Sequence, residues 1–292
     1  MTRMIYLDGQ YLPEDQAKVS VFDHGLLYGD GVFEGIRSYD GLVFCMDEHL
    51  DRLYNSADFI ELKIPISKSE FSDVIVEVLK RNSLISGYIR PVVTRGVGDL
   101  GLNPTACPKA TIFVIADTLT LYPKKCYENG LEVAIIDTVR NHHKAISPRI
   151  KSLNYLNNIL GRLEVNRLGV GEGIMLNSDG NIGEATADNL FLVKDRCVFT
   201  PEIDHGALPG ITRGSVMELA KKDGLTVVEK ALKPEDLYSA DECFLTGTGA
   251  EVIPVRVADG KPIGTGKPGK ITLRLIELFK ELTTQRGRRY TL

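Results

Sequence analysis

Apolar and β-prone residues near the start of the chain surround two Asp-Gly pairs. The first pair, Asp8-Gly9, lies within residues 3–11, and the second, Asp40-Gly41, lies within residues 31–46. Asp-Gly between apolar runs is a strong signal for a β-hairpin, because both residues tolerate the backbone angles of its tight turn. The early part of the chain is therefore predicted to form antiparallel sheet.

Helical spacing replaces this pattern after residue 46. In residues 47–62 the apolar positions recur every three or four residues, at Leu50, Leu53, Tyr54, Ala57 and Ile60. Ser67 and Glu70 have the spacing of a capping box, in which each side chain binds the other residue's backbone N–H at the start of a helix. Both segments are predicted to form amphipathic helices.

The rest of the chain mixes strands and helices without regular alternation. Strands are expected over residues 88–95, 110–118 and 131–139, hairpins within 173–201, and helices over 154–168, 211–223 and 270–283. The hairpins should turn at Asp179-Gly180 and Asp195-Arg196. Residues 119–125 contain Pro123 and two lysines without a clear period, which indicates a linker. The sequence thus predicts an α+β protein with a smaller N-terminal domain, 1–118, and a larger C-terminal domain, 126–292.

Composition narrows the class of partner. The 292 residues are 43% hydrophobic and 25% charged, and the formal net charge is -4, so no basic field draws the molecule to nucleic acid or anionic lipid. No apolar run approaches the roughly 20 residues that span a bilayer, and residues 1–10 lack the apolar core of a signal peptide. We therefore expect a cytoplasmic protein that binds small molecules and keeps its scattered cysteines reduced.

Motifs of other protein classes are incomplete here. The segment G-T-G-K-P-G-K-I-T at 264–272 nearly matches a P-loop, but Ile271 stands where a magnesium-binding Ser or Thr is required. A surface turn is the favoured interpretation. His142 and His143 are adjacent, so on a strand they would point to opposite faces and could not hold one metal without further ligands. The absence of H-E-x-x-H and G-x-S-x-G weakens metalloprotease and serine hydrolase hypotheses, and no metal site is predicted.

Two segments in the second half of the chain have the character of anion sites. Pro209 and Gly210 precede the helical pattern of 211–223, and Thr212 falls in its first turn, so free N–H groups and a hydroxyl would converge on a phosphate. In residues 245–251 a strand ends in Thr-Gly-Thr-Gly, whose backbone N–H groups and hydroxyl can also hold an anion. Two such sites in one domain suggest a phosphate and a carboxylate.

Lys151 and Glu184 each have an ordinary interpretation and a chemical one. Lys151 is one of 35 Lys and Arg residues, and most lysines are solvated, but nearby Arg149 and Ile150 offer surroundings that lower the pKa of a Schiff-base lysine. Glu184 can be a carboxylate at a hairpin end, or the acid that keeps a pyridine nitrogen protonated. Spacing alone does not pair them.

Eight segments match one known family in order along the chain. They are V-F-D-H-G-L-L-Y-G-D-G-V-F-E-G-I-R at 21–37, E-H-L-D-R-L at 48–53, Y-I-R-P at 88–91, G-V-G-D-L-G-L-N-P at 96–104, K-S-L-N-Y at 151–155, G-E-A-T-A-D-N-L-F at 183–191, G-I-T-R at 210–213 and T-G-T-G-A-E at 246–251. The chain resembles the class IV, or fold-type IV, pyridoxal-phosphate aminotransferases, and most closely their branched-chain members. The resemblance implies a two-domain α+β fold with antiparallel and mixed sheets and flanking helices.

The resemblance implies pyridoxal 5'-phosphate as the cofactor. Lys151 would carry it as a Schiff base and move the substrate Cα proton, Glu184 would pair with the pyridine nitrogen, and Tyr155 would bind the phenolic oxygen. The residues that hold the phosphate would be Arg52, Ile211, Thr212 and Thr248. Two of these lie at the helix start that was identified above as an anion site.

The same resemblance implies the substrate site and the reaction. Tyr88 and the backbone at Thr248 and Gly249 would hold the α-carboxylate, and Arg90 would bind the distal carboxylate of glutamate or 2-oxoglutarate. Tyr28, Phe33 and Gly35 would form the apolar wall of the pocket. The interdomain loop around Leu100 and Leu102 would close the pocket, usually from the neighbouring subunit. The implied reaction is transamination of L-leucine, L-isoleucine or L-valine with 2-oxoglutarate by a homodimer or higher homo-oligomer.

Related activities stay open as alternatives. Lys151 is followed by Ser-Leu-Asn-Tyr, where many bacterial branched-chain enzymes have a glycine pair, and the Ser-Leu-Asn form also occurs in D-amino acid aminotransferases. A D-amino acid or (R)-amine aminotransferase is the nearest rival, although it should reorganise the strand at 88–91. Aminodeoxychorismate lyase shares the fold and cofactor, but Arg90 suits 2-oxoglutarate better. A nucleotide-binding regulator that uses residues 264–270 would instead bind nucleotide and no chromophore.

Overall fold

A computed structural model of the protein describes residues 2–292, which divide into two compact units. The first unit contains the chain up to Leu119 together with Ile150–Asn154 and Thr283–Leu292, and the second contains Thr120–Arg149 and Tyr155–Leu282. This division differs from two contiguous domains, because the segment with Lys151 and the end of the chain pack with the first unit. The linker at 119–125 and the contiguous domains stay predictions.

The strands and helices follow one another in chain order. The strands are β1 (Met4–Leu7), β2 (Gln10–Pro13), β3 (Gly31–Phe33), β4 (Ile36–Tyr39), β5 (Leu42–Phe44), β6 (Gly87–Thr94), β7 (Thr111–Asp117), β8 (Leu131–Ile136), β9 (Glu172–Leu176), β10 (Ile182–Ala185), β11 (Asn189–Lys194), β12 (Cys197–Thr200), β13 (Thr226–Glu229), β14 (Glu242–Gly247), β15 (Glu251–Ala258), β16 (Lys261–Pro262) and β17 (Gly287–Arg289). The α-helices are α1 (His24–Tyr28), α2 (Met46–Phe59), α3 (Lys68–Arg81), α4 (Lys124–Asn129), α5 (Leu156–Leu168), α6 (Ile211–Lys222), α7 (Pro234–Ser239) and α8 (Lys270–Leu282).

The first unit is an antiparallel sheet with two helices packed on it. Its strand order is β17-β5-β4-β6-β7-β1-β2, and β3 pairs with β6 beside this path. Helix α2 buries one face, with Leu50, Leu53 and Ala57 in the core, and each buried leucine contributes about 1.5–3 kcal/mol. Helix α3 begins with the expected capping box, in which the Ser67 side chain accepts from the Glu70 N–H. The hairpin at Asp8-Gly9 is also confirmed.

The second unit is a mixed sheet with flanking helices. Its order is β10-β9-β8-β15-β14-β11-β12-β13, with β16 added beside β15. β8 runs parallel to both β9 and β15, whereas β14 is antiparallel to β11 and β15. The hairpins at Asp179-Gly180 and Asp195-Arg196 are confirmed. Two sheets of these kinds, each with helices, confirm the α+β class.

Three local expectations need correction. Helix α5 begins at Leu156, two residues later than expected, because the preceding residues run extended beside β3. His142 and His143 lie in a turn and stack their rings with centroids 4.5 Å apart, so the argument about opposite strand faces does not apply. The loop with Leu100 and Leu102 joins β6 to β7 inside the first unit and is not interdomain. Residues 264–267 form the expected turn, and residues 270–272 begin helix α8.

Candidate active site

The backbone around Lys151 pairs with strand β3. The Phe33 N–H donates to the Lys151 carbonyl at 3.0 Å, and the Leu153 N–H donates to the Gly31 carbonyl at 2.9 Å. On the other side, the Lys151 N–H donates to Ser56 Oγ of α2 at 3.2 Å. Lys151 is thus anchored through its main chain to β3 on one side and to α2 on the other.

The ring of Phe33 contacts two cationic side chains. Lys151 Nζ lies 4.7 Å from the ring centroid, and Arg90 Cζ lies 4.8 Å from it. Arg90 Nη2 donates to Tyr88 Oη at 2.8 Å. Arg90 Nε is buried and has no hydrogen-bond partner within residues 2–292. A buried guanidinium N–H without a partner is costly, so this atom points to an anionic or polar ligand.

Gly35 makes room for Tyr88. A Cβ atom at position 35 would lie 2.2 Å from Tyr88 Oη, which is far inside contact distance. The backbone between β3 and β4 and the phenol of Tyr88 on β6 can therefore approach each other only because residue 35 has no side chain. The structure brings four predicted residues together in the first unit, namely Phe33, Gly35, Tyr88 and Arg90, with Lys151 beside Phe33.

Tyr28 connects α1 to the loop between β6 and β7. Its hydroxyl donates to the Leu100 carbonyl at 2.6 Å, and its ring packs edge-on against His24. The side chains of Leu100 and Leu102 are 69% and 78% exposed, respectively. The loop is thus attached at its backbone, while its two leucines face away from the core of their own unit.

Arg52 is held by Glu34, which also contacts His49, and the sequence argument singled out neither of these two residues. Its Nε and Nη2 atoms donate to the two oxygens of Glu34 at 2.6 and 2.9 Å, and His49 Nδ1 lies 2.9 Å from Glu34 Oε2. Burial by itself raises the pKa of Glu34, but Arg52 and His49 outweigh burial and hold that pKa well below its usual range. Burial lowers the pKa of His49, which favours neutral imidazole. Glu34 and His49 both lie inside the quoted motifs, at 21–37 and 48–53, so the motifs already contained the two residues that form this cluster with Arg52.

Glu184 sits in the second unit in a dense set of donors. Its Oε1 forms an ion pair with Arg140 Nη2 at 2.9 Å, and its Oε2 accepts from the Leu208 N–H at 2.8 Å and from Asn189 Nδ2 at 3.3 Å. Arg140 was not identified from the sequence, since it lies 44 residues away in a segment without a motif. This arrangement gives a buried carboxylate its countercharge and a fixed direction.

The two anion sites of the second unit have the expected local form. Helix α6 begins at Ile211 directly after Gly210, and Thr212 is buried in its first turn. β14 ends at Gly247, and Thr248 and Gly249 form the turn into β15. Thr246 Oγ1 is buried and lacks a hydrogen-bond partner within the described part of the chain. Tyr155, half-buried, lies at the residue before α5.

Two further features of the described residues concern membranes and metal ions. No helix within residues 2–292 is long and apolar enough to cross a membrane. Across the same residues, no group of three His, Cys, Asp or Glu side chains is placed to hold a metal ion.

Comparisons with known proteins converge on one family. The profile of the family Amino-transferase class IV matches residues 31–258. A Methanocaldococcus jannaschii protein, provisionally named branched-chain-amino-acid aminotransferase, is 49% identical over 97% of both chains. The crystal structure of the Escherichia coli branched-chain amino acid aminotransferase superposes with a TM-score of 0.95 at 37% identity, over 99% of this chain and 97% of that one. The T.th. enzyme of the same name, with pyridoxamine 5'-phosphate, has a TM-score of 0.93 at 36% identity, over 98% and 96% of the two chains.

Proposed function

Because the chain belongs to the class IV aminotransferases, we propose that it moves amino groups between branched-chain L-amino acids and 2-oxoglutarate, with Lys151 as the residue that binds the cofactor. The observation that carries this proposal is the cluster on Phe33. One aromatic ring contacts both the Lys151 amine and the Arg90 guanidinium, whose buried Nε has no partner within the described residues. The apolar ring of Phe33 and the Arg90 cation, which can pair with an anionic group of a substrate, therefore lie beside the reactive lysine.

The residues present fit pyridoxal 5'-phosphate, the cofactor of this family. Lys151 supplies the amine, and Glu184, held by Arg140 at 2.9 Å, supplies a carboxylate for the pyridine nitrogen. The phosphate would be held by Arg52, by Thr248 and by the start of α6 at Ile211 and Thr212, while Tyr155 would bind the phenolic oxygen. The buried Thr246 Oγ1, which lacks a partner among residues 2–292, supports a polar ligand beside the β14–β15 turn. When bound, the cofactor withdraws electrons from the amino acid Cα and makes its proton acidic.

The protein's own residues then handle that proton and orient the substrate. The Lys151 amine would take the Cα proton and deliver it to the cofactor, and water would supply the oxygen of the released 2-oxo acid. Tyr88 Oη accepts from Arg90, so its own O–H can donate to the α-carboxylate. The N–H groups at Thr248 and Gly249 would hold the same carboxylate. The overall reaction conserves the amino group, because the 2-oxo acid that accepts it becomes an amino acid.

Two kinds of substrate side chain can use the cluster on Phe33. Branched aliphatic side chains gain about 1.5–3 kcal/mol each when they are buried against apolar surface such as Phe33 and Tyr28. The γ-carboxylate of 2-oxoglutarate or glutamate can instead pair with Arg90, whose planar guanidinium suits a carboxylate. The same wall thereby accepts an aliphatic and an acidic side chain in the two halves of the reaction.

We further propose a cytoplasmic homodimer as the minimal functional unit. The support is the pair Leu100 and Leu102, which are 69% and 78% exposed in the isolated chain. Exposed apolar side chains on a loop that is fixed by Tyr28 are the kind of surface that a second subunit covers. Size-exclusion chromatography with light scattering tests this, and a monomer at micromolar concentration would contradict it.

The proposed reaction is tested by the visible absorbance of the protein loaded with pyridoxal 5'-phosphate. We expect a band of the lysine-bound cofactor that L-leucine, but not D-alanine, converts to the shorter-wavelength pyridoxamine form. The variant Lys151→Ala should lose both the band and the conversion. Conversion by D-alanine alone would show a D-amino acid aminotransferase, and no band after added cofactor would refute the proposal.

A further inference from the structure

Three charged or titratable residues are buried together on the side of β3 that faces α2. Glu34, His49 and Arg52 are 0%, 1% and 9% exposed, respectively. Glu34 follows Phe33 directly, and neighbouring residues of an extended chain point to opposite sides. Phe33 therefore contacts Lys151 and Arg90, while Glu34 contacts Arg52 and His49.

Stability alone does not explain a buried cluster of this kind. The desolvation of a buried carboxylate and guanidinium largely offsets their attraction, and well-packed apolar residues are often as stable. What the pair supplies is geometry. Both oxygens of Glu34 accept from the Nε–Nη2 edge of Arg52, at 2.6 and 2.9 Å, and such a bidentate contact fixes the plane of the guanidinium.

The same face of α2 also connects to Lys151. His49, Arg52 and Ser56 are three and four residues apart, so their side chains lie on one face of the helix. Ser56 Oγ accepts from the Lys151 N–H, while His49 and Arg52 bind Glu34. One helix face thus holds the backbone of the reactive lysine and, one turn earlier, the arginine assigned to the phosphate.

We propose that Glu34 is a positioning residue that holds the Arg52 guanidinium in the orientation in which it binds the cofactor's phosphate, with His49 fixing the carboxylate through Oε2. This inference rests on the role of Arg52 in the proposed function. It assigns to Glu34 no contact with the substrate or the reacting atoms.

Positioning and simple electrostatics predict opposite effects of removing the Glu34 charge. The substitution Glu34→Gln makes the surroundings of Arg52 more positive, so Coulomb attraction alone would tighten the binding of an anionic phosphate. If Glu34 instead orients Arg52, the guanidinium loses its bidentate partner and phosphate binding weakens. The sign of the change in cofactor affinity therefore separates the two effects.

The experiment titrates the apoprotein with pyridoxal 5'-phosphate and, separately, with pyridoxal, and follows absorbance. For Glu34→Gln we expect the Kd of pyridoxal 5'-phosphate to rise about 10-fold or more, by analogy with residues that orient metal ligands, and the Kd of pyridoxal to stay unchanged. Asp58→Asn, on the exposed face of the same helix, removes one negative charge and should change neither Kd. General damage to the fold would weaken both ligands.

Three outcomes would overturn the inference. One is tighter or unchanged binding of pyridoxal 5'-phosphate by Glu34→Gln, and a second is equal weakening of both ligands. The third is an Arg52→Gln variant that binds pyridoxal 5'-phosphate like the parent, which would also remove Arg52 from the proposed phosphate site. If Glu34→Gln does not fold, His49→Gln tests the same orientation and should show a smaller rise for the phosphorylated ligand only. Conversion of L-leucine by the parent protein tests the proposed function independently.

Discussion

The substitution Gly35→Ala is expected to disturb the substrate site through Tyr88. The added Cβ would lie 2.2 Å from Tyr88 Oη and 3.0 Å from its Cζ, whereas ordinary contacts begin near 3.4 Å. The phenol must therefore retreat by about 1 Å, a misplacement that can reduce catalysis by about 100-fold. The retreat also breaks the 2.8 Å hydrogen bond from Arg90.

The expected magnitude is a loss of about 10- to 100-fold in kcat/KM, which corresponds to about 1.4 to 2.7 kcal/mol of transition-state stabilisation. The loss should be larger for 2-oxoglutarate than for L-leucine, because in the proposed site only 2-oxoglutarate pairs a distal carboxylate with Arg90. Steady-state kinetics with each substrate varied in turn measures both values.

Gly214→Ala is the matched control. Position 214 lies in helix α6, and a Cβ there meets no atom within 4 Å. The same chemical change should leave the kinetics intact and raise the free energy of unfolding by about 0.5–1 kcal/mol. In a Tyr88→Phe background, which removes the colliding oxygen, Gly35→Ala should cause a smaller further loss. Parental kcat/KM values for Gly35→Ala, or equal losses in both backgrounds, would refute the steric argument.

Three further predictions follow from single contacts. Arg90→Met should lower kcat/KM for 2-oxoglutarate by about 30-fold or more, because the distal carboxylate loses its charged partner. The kcat/KM for L-leucine should stay nearly unchanged. Equal losses for both substrates in steady-state assays would make Arg90 a purely structural residue. Because the pKa of Glu34 is lowered in the folded protein, its stabilisation is present above the unfolded pKa near 4.5 and is lost as pH falls. The difference in unfolding free energy between parent and Glu34→Gln should therefore shrink by about 1.4 kcal/mol for each pH unit below 4.5. Urea titrations at several pH values measure this difference, and a pH-independent difference would contradict the ion pair. Tyr28→Phe removes the 2.6 Å bond to the Leu100 carbonyl and should raise the KM for L-leucine by about 2- to 10-fold at an unchanged melting temperature; an unchanged KM would show that the bond does not hold the loop.

Local features of the fold were predictable because their causes lie within a few residues. The turn at Asp8-Gly9 depends on the two residues that form it, and the capping box depends on Ser67 and Glu70. The start of α6 follows in the same way from Gly210 and the helical pattern after it. The late start of α5 was missed because residues 151–153 pair with β3, more than a hundred positions earlier.

Residues of the candidate site were found by resemblance, but their partners were not. Lys151, Glu184 and Arg52 stand in recognisable segments, whereas Arg140 has no motif of its own. Glu34 and His49 stand inside quoted motifs, yet no spacing rule joins them to Arg52, because a strand residue and a helix residue meet only when the chain folds back.

By itself, the sequence determined the class of fold, the hairpins, the capping box of α3 and the family. These depend on short-range periodicity, turn chemistry and ordered motifs, all of which are written along the chain. Only the tertiary structure decided that Phe33 contacts two cations and that Gly35 must lack a Cβ beside Tyr88. It also decided that Glu34 forms the ion pair with Arg52. Such contacts arise between segments that are distant in the sequence. Burial removes water from a charged group, so the group must be paired with another residue, and the fold decides which residue is close enough.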